Sequence, residues 1–111
     1  MGSVSKKPLE TLTETMFYVL MAFYRQEMCG TEIARYVREL TKGEVSMGPG
    51  TLYTILSQFQ REDLIEKTGS EGRKITYAIT ERGRRMYQSE LRRLRRCLAD
   101  AEAAGAERGK L

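Results

Sequence analysis

The residues with most chemistry to offer lie in two short stretches of this 111-residue chain. Ser46-Met47-Gly48-Pro49-Gly50 opens the first, and Gly69-Ser70-Glu71-Gly72-Arg73-Lys74 is the second. Proline suits the first position of a helix, where its missing N–H would be unpaired anyway, so a helix is expected over Pro49–Arg61. Leu52, Ile55, Leu56 and Phe59 recur at i, i+3, i+4 and i+7, one buried stripe. On the helical wheel the opposite face carries Gly50, Thr54, Ser57 and Arg61, with Thr51, Tyr53 and Gln58 toward its edges. Thr54, Ser57 and Gln58 can hydrogen-bond base edges, and Arg61 can reach a guanine or a phosphate. Gly50 and the small hydroxyls about the helix start, Ser46 among the candidates, let backbone approach phosphate at the positive end of the helix dipole. Arg73 and Lys74, on a tip between glycines, can reach a minor groove or a phosphate backbone. Taken singly, each stretch also fits ordinary solvated surface.

Other chemistry is poorly served. The chain has no histidine, the commonest general base and zinc ligand. Its two cysteines, Cys29 and Cys97, form no C-x-x-C pattern and are expected to be buried free thiols in a reducing compartment. There is no nucleophile elbow and no phosphate loop. Glu62 and Asp63 are adjacent and point different ways, so they make no carboxylate pair. Neither an enzyme nor a cofactor or metal is expected. The longest apolar run, Met16–Tyr24, is far short of the roughly 20 residues that span a bilayer. No signal peptide is read, so a cytoplasmic, nucleoid-associated protein without a membrane partner is expected. Met1-Gly2-Ser3 has the form of a cloning remnant.

The elements that must position these residues follow from periodicity and punctuation. Residues 1–13 read as a loose polar arm. Thr11 and Glu14 form a capping box for a first helix over Glu14–Gln26, apolar all round from Met16 to Tyr24, which needs cover on more than one side. Gly30 ends that unit. Thr31 caps a second helix to Leu40, with Ile33, Val37 and Leu40 as its stripe. Val45 is a candidate very short strand. After the third helix come strands over Ile65–Thr68 and Arg73–Ile79, joined by a Gly69–Gly72 loop; Ile75, Tyr77 and Ile79 alternate with Lys74, Thr76 and Ala78. Thr80 caps a fourth helix to about Ala104, and residues 105–111 are expected to fray. The fold class is α+β, mostly α. A winged helix-turn-helix occupies residues 14–80 and a long C-terminal dimerisation helix residues 81–104.

Along that last helix Tyr87, Leu91, Leu94, Leu98 and Ala101 are spaced 4, 3, 4, 3, an a/d seam for paired helices. The seam also suits packing on the chain's own domain, but the winged unit is already closed and the first helix still lacks cover. A homodimer satisfies both, with Phe17, Leu20, Met21 and Tyr24 of the first helix joining the interface. Two-fold symmetry would set two recognition helices roughly 34 Å apart. Phe17, Met21, Tyr24 and Met86 could line an effector pocket between subunits or simply be core.

At this point the residues resemble a family. Met47-Gly48-Pro49-Gly50-Thr51-Leu52-Tyr53-Thr54-Ile55-Leu56, Glu62-Asp63-Leu64-Ile65-Glu66 and Tyr77-Ala78-Ile79-Thr80-Glu81-Arg82-Gly83 together resemble the PadR family of transcriptional regulators. The resemblance covers about residues 14–98. It implies a winged-helix DNA-binding domain, a homodimer joined through the first and last helices, repression at a palindromic promoter site, and control by a small aromatic or drug-like ligand. It places Tyr53 on the DNA backbone and Pro49, Gly50 and Thr51 at the groove. Two positions depart from the family. Asp63 stands where glycine is usual, at a turn whose left-handed backbone Asp tolerates. Thr31 stands where an aromatic residue is common.

The net charge of +4 is unevenly placed. Residues 44–80 carry four basic and five acidic groups, so the reading segment is at −1. Residues 81–96 carry seven basic and two acidic, led by Arg82, Arg84, Arg85, Arg92, Arg93, Arg95 and Arg96. Most of these are expected on a solvated face beside the seam. A dimer would carry twice +4, attracting DNA from a distance. The near-neutral reading segment keeps an alternative open, a winged-helix protein-interaction module that does not bind DNA.

Overall fold

The computed structural model describes residues 9–108. In chain order the elements are α1 (Glu14–Arg25), β1 (Met28–Cys29), α2 (Gly30–Leu40), α3 (Pro49–Arg61), β2 (Ile65–Glu71), β3 (Lys74–Ile79) and α4 (Glu81–Arg108). Three helices enclose a core with a small antiparallel sheet ordered β1-β3-β2 on one side. α4 leaves from the end of β3. This is the expected winged helix-turn-helix, mostly helical, with a long C-terminal helix.

The core forms where the stripes of the helices meet the inner face of β3. Val19, Leu20, Phe23, Ile33, Val37, Phe59 and Ile65 are essentially inaccessible, with Leu52, Ile55 and Leu56 beside them. Phe23 meets Tyr77 of β3 edge-on, ring centroids 6.2 Å apart. Leu40 is 48% exposed, so the buried stripe of α2 stops at Val37. Leu20 is sealed inside its own core and has no surface to give a partner. That removes it from the expected dimer interface.

The caps differ from expectation. The hydroxyl of Thr13, not Thr11, accepts from the Met16 N–H at 3.2 Å. α2 begins at Gly30, and Glu32 accepts the Cys29 N–H at 2.9 Å; Thr31 is not the cap. Both changes shift the cap without moving the helix, because several neighbouring polar side chains can reach an orphan N–H. Val45 forms no strand. It plugs the core, its N–H held by the Thr41 hydroxyl at 3.0 Å. The third strand is β1, whose Met28 and Cys29 pair with Tyr77 and Thr76. β2 runs on to Glu71 through an irregularity between Lys67 and Gly69, leaving Gly72–Arg73 as the hairpin turn. Gly69, Ser70 and Glu71 are therefore strand, not loop.

The α3 exit and the start of α4 form one tight joint. Asp63 takes φ 61°, the left-handed backbone expected of that turn. Its carbonyl accepts from the Thr80 hydroxyl at 2.6 Å, and the Leu64 carbonyl accepts the Thr80 N–H at 2.9 Å. Thr80 caps α4 as expected, its hydroxyl accepting the Gly83 N–H at 3.0 Å. A side chain at residue 83 would drive its Cβ into the Leu64 carbonyl and to 2.7 Å from Ile79 Cγ1. The glycine of the Tyr77–Gly83 motif is thus a close-approach glycine, admitting the first turn of α4 against the Leu64 backbone just before β2.

Residues 9–13 are no loose arm. Leu12 is buried, and its N–H donates to Glu90 Oε1 at 2.7 Å, while the Leu9 N–H reaches Glu62 at 3.3 Å. Residues 1–8, including Met1-Gly2-Ser3, lie outside the described residues. Arg93 grips the same Glu90 carboxylate with two bonds of 3.0 Å. Glu90 is only 2% exposed, yet both its oxygens are engaged. The Arg93 guanidinium, helped by the Leu12 N–H, holds its carboxyl below the usual carboxylate range against the opposing effect of burial. A folded-state pKa below the unfolded one makes stability complete at neutral pH and lost as pH falls through the Glu90 titration, below about 4.3. Glu90→Gln is therefore expected to flatten the acid limb of a stability–pH curve from urea titrations. An unchanged acid limb would remove Glu90 as its source.

α4 continues helically through Gly105 to Arg108, so the expected fray does not begin at 105; residues 109–111 are outside the described residues. Of its eight arginines only Arg93 is engaged in a close carboxylate clasp, and it is the one that leaves the solvated face. Arg85 and Glu81, 4.0 Å apart and exposed, contribute little. Both cysteines are free; Cys29 is buried as expected, whereas Cys97 is exposed on α4.

Candidate nucleic-acid interface

The outer face of α3 stands clear of the core because its stripe faces inward. Pro49, Gly50, Thr51, Tyr53, Thr54, Ser57 and Arg61 are all exposed, as is Ser46 before the helix. Gln58 is half-buried at the helix edge and the least available of the set. Tyr53 is 67% exposed, a large aromatic surface that core packing does not explain. Thr54 donates its hydroxyl to the Gly50 carbonyl at 3.0 Å, so in this state it can accept from a base edge but not donate to one.

The helix start is bare. The cap residue Gly48 has no side chain to take the orphan N–H groups, and Pro49 occupies the first helical position. A Cβ at Gly50 would meet nothing within 4 Å. Glycine costs a helix about 1 kcal/mol relative to alanine, and nothing in the protomer requires it there. Its bareness faces outward, toward whatever approaches α3, and first-turn N–H groups with a positive dipole end favour an anion.

The wing brings its cations to the same side. Arg73 sits in the hairpin turn and Lys74 opens β3, paired with Glu71 across the ladder. Both are exposed, and both border a groove shared with Gly48, Pro49 and Tyr53. The two stretches separated in sequence thus meet around one surface. That surface combines small polar groups, one aromatic ring and two cations, which suits phosphate contact at its edges and base contact at its centre.

The dimer seam divides into two parts. Tyr87 and Leu91 are half-buried against their own domain. Tyr87 stacks between Phe17 (centroids 5.2 Å apart, planes 10° apart) and Tyr24 (4.4 Å, 27°), and Gln88 donates to the Tyr24 hydroxyl at 3.1 Å. From Leu94 to Arg108 every residue is exposed, with Leu94 at 39%, Leu98 at 59% and Ala101 on the same stripe. Met21 is half-buried on α1. Of the expected effector-pocket residues, Phe17 and Tyr24 meet on Tyr87 within the protomer, whereas Met86 lies apart from them. Phe17 lines a groove with Glu90 and Leu94, whereas Met86 lines another with Leu9 and Arg82. Phe17 and Tyr24 spend their faces on Tyr87 instead, since stacked aromatic rings fill the space a ligand would need.

Sequence reasoning missed two features. The Glu90 clasp had a faint signal, a lone carboxylate on the apolar stripe between Tyr87 and Leu94. The groove beneath Tyr53 had none, because its walls come from β1, α2, α3 and β3.

The comparisons with known proteins agree with this geometry. A family model described as the transcriptional regulator PadR-like family matches residues 19–89. The chain is 31% identical over 70 residues to the transcriptional regulator YqjI of Escherichia coli, an overlap of 63% of this chain and 34% of that protein. It therefore spans about a third of that relative's length. Among solved structures, a transcriptional regulator from Clostridium thermocellum superposes with a TM-score of 0.72 at 19% identity, covering 80% of this chain and 87% of that one. RosR of H. salinarum superposes at 0.66 with 23% identity, covering 86% and 97%. These two likenesses establish the fold. The matched span holds α2, α3, the wing and the Thr80–Gly83 joint, and the chain belongs to the PadR-like family of transcriptional regulators.

Proposed function

We propose that the chain is a sequence-specific DNA-binding repressor that acts as a homodimer on a palindromic promoter site in the cytoplasm. The observation that carries this reading is the exposed face of α3 meeting the wing cations around one surface. α3 enters the major groove, where Thr54, Ser57, Gln58 and Arg61 read base edges. Pro49, Gly50, Thr51 and Tyr53 lie on the backbone beside them, and Arg73 and Lys74 hold the flanking phosphates. Dimerisation rests on the free half of α4: a helical segment of this length standing alone in water is marginal, and a second copy buries Leu94, Leu98 and Ala101. Phe17, Met21, Tyr24, Tyr87 and Leu91 then form the inner part of the interface. Among the described residues no helix is long and apolar enough to cross a membrane.

The test is binding to duplex DNA from the chain's own upstream region as salt is raised. Specific binding should weaken steeply, because each neutralised phosphate contributes about 0.9 to the log–log slope. Arg73→Ala with Lys74→Ala is expected to reduce that slope by about 1.8, two phosphate contacts' worth, while leaving sequence preference in place. Salt-independent binding, or none to any duplex from the locus, would sink the reading.

A second reading, a protein-interaction module, draws on the −1 charge of residues 44–80. It prevails if the same double variant abolishes capture of a protein partner and the unmodified chain never binds DNA.

A further inference from the structure

β1 is only two residues long, and its last pair is Cys29 with Thr76. Up to that pair the sheet has three strands; beyond it only Ser70 and Glu71 remain, paired with Ile75 and Lys74. A two-stranded ribbon is marginal by itself and free to twist. This one carries Arg73 and Lys74, whose reach depends on where it points. The step from three strands to two coincides with an extra residue. Lys67 faces Tyr77 and Gly69 faces Thr76, so Thr68 has no partner of its own in the ladder. Such a bulge bends its strand, sharpens the twist and re-aims whatever lies beyond.

Thr68 is held from outside the ribbon. Its hydroxyl donates to Glu27 Oε2 at 2.6 Å, the length of a bond to an ionised carboxylate. The Thr76 carbonyl is farther, at 3.4 Å, so the single hydroxyl proton goes to Glu27. Glu27 immediately precedes β1 and Thr68 lies on β2, so the bond spans the central strand β3. Glu27 is itself fixed on both sides. Before it, the Gln26 N–H caps α1 on the Ala22 carbonyl, and the Arg25 guanidinium lies 4.7 Å over the Tyr36 ring of α2. After it, Met28 and Cys29 are buried and paired with β3. Both bonded side chains are exposed, so the core does not need the bond.

We propose that Glu27 and Thr68 are positioning residues: their bond locks the bulge to the α1–β1 corner and fixes the direction in which the wing presents Arg73 and Lys74. The effect on DNA rests on the DNA-binding reading; the lock itself does not. Without the bond the ribbon samples several directions, and affinity falls by the fraction that still fits. The number of phosphate contacts stays the same, since neither residue makes one.

The test compares Thr68→Val, which keeps the strand-favouring branch at Cβ but has no donor, with Thr68→Ser, which restores the hydroxyl. Residual dipolar couplings of the Ser70–Lys74 amides, in the free full chain, read the direction of the wing. They are expected to shrink relative to those of α2 and α3 in Thr68→Val and in Glu27→Ala, and to return in Thr68→Ser. The double variant should shift them no further than either single one, because both remove the same bond. Affinity of Thr68→Val for the upstream duplex should fall about three- to tenfold with an unchanged salt slope. Arg73→Ala with Lys74→Ala lowers the slope instead. Couplings that keep their parent values in both single variants overturn the lock, and a loss that Thr68→Ser does not restore overturns the role of the hydroxyl. Undiminished DNA affinity on a loosened wing overturns the consequence for binding. A chain that binds no duplex defeats the DNA reading, while the couplings, measured without DNA, still decide the lock. Should Thr68→Val fail to fold, Glu27→Ala carries the same comparison from the other partner.

Discussion

Gly83→Ala is expected to destabilise the protein by about 3 kcal/mol or more, and Gly105→Ala, on the same helix, to stabilise it by up to about 1 kcal/mol. The substitution is chemically identical and only its surroundings differ. At residue 83 the new methyl overlaps the Leu64 carbonyl and crowds Ile79. Relief requires lifting the first turn of α4 off the Leu64 backbone, yet Thr80 ties the same turn to Asp63 and Leu64. The joint must break or store the overlap as strain. At residue 105 nothing lies within 4 Å, so alanine simply gains helix propensity. With about 4–8 °C per kcal/mol for a domain near this size, the first variant should melt at least about 12 °C lower and the second no lower than the unmodified chain. Thermal melts at one fixed protomer concentration check both, because the proposed dimerisation would make Tm concentration-dependent. A Gly83→Ala protein as stable as the parent would mean that α4 can start elsewhere, and the closeness of the joint would lose its significance.

The second large effect concerns the free half of α4. Leu94→Asp with Leu98→Asp is expected to make the chain monomeric by sedimentation while leaving its far-ultraviolet circular dichroism helical. Both side chains are exposed in the protomer, so neither carboxylate is forced into its core. Across a seam the same charges would be buried facing their copies, a cost of several kcal/mol per pair against the apolar contacts they replace. DNA affinity should then fall about 10²–10⁴-fold, since one protomer binds a half-site without the effective concentration its partner provides. A variant that stays dimeric would move the interface to α1 and the stacked Tyr87. A variant that is monomeric yet binds DNA undiminished would separate assembly from recognition.

The elements were legible in the sequence wherever one signal was local and strong. Pro49 and the Leu52–Phe59 stripe placed α3 to the residue, and the alternation of Ile75, Tyr77 and Ile79 placed β3 within one. Thr80 as the α4 cap was likewise readable, because cap chemistry acts over a few residues, and the left-handed turn at Asp63 followed from the family resemblance. The surface of α3 followed from the stripe alone: what is not buried on a helix beside a core is what a partner meets. Gln58 was overstated and Thr54 half-occupied, since a helical wheel gives direction but neither depth nor the hydrogen bonds a side chain has already made.

Errors appeared where the partner is distant in the chain. β1 exists only because Met28 and Cys29 find Tyr77 and Thr76 at the open edge of β3; two residues carry no period of their own. Leu12 is fixed by Glu90, 78 positions away, and Leu20 is lost to the interface because its own core closes over it. The wing cations have no ion-pair partner within 4.0 Å among the described residues and border a groove whose four walls are contiguous nowhere in the sequence. By itself, then, the sequence determined the order and kind of the elements, the exposed face of α3 and the family. Periodicity, caps and turns are properties of neighbouring residues. Only the tertiary structure decided which glycine makes a close approach, which half of α4 is left exposed and where α2, α3 and β3 enclose a groove, because each of these is a distance between residues the chain keeps far apart.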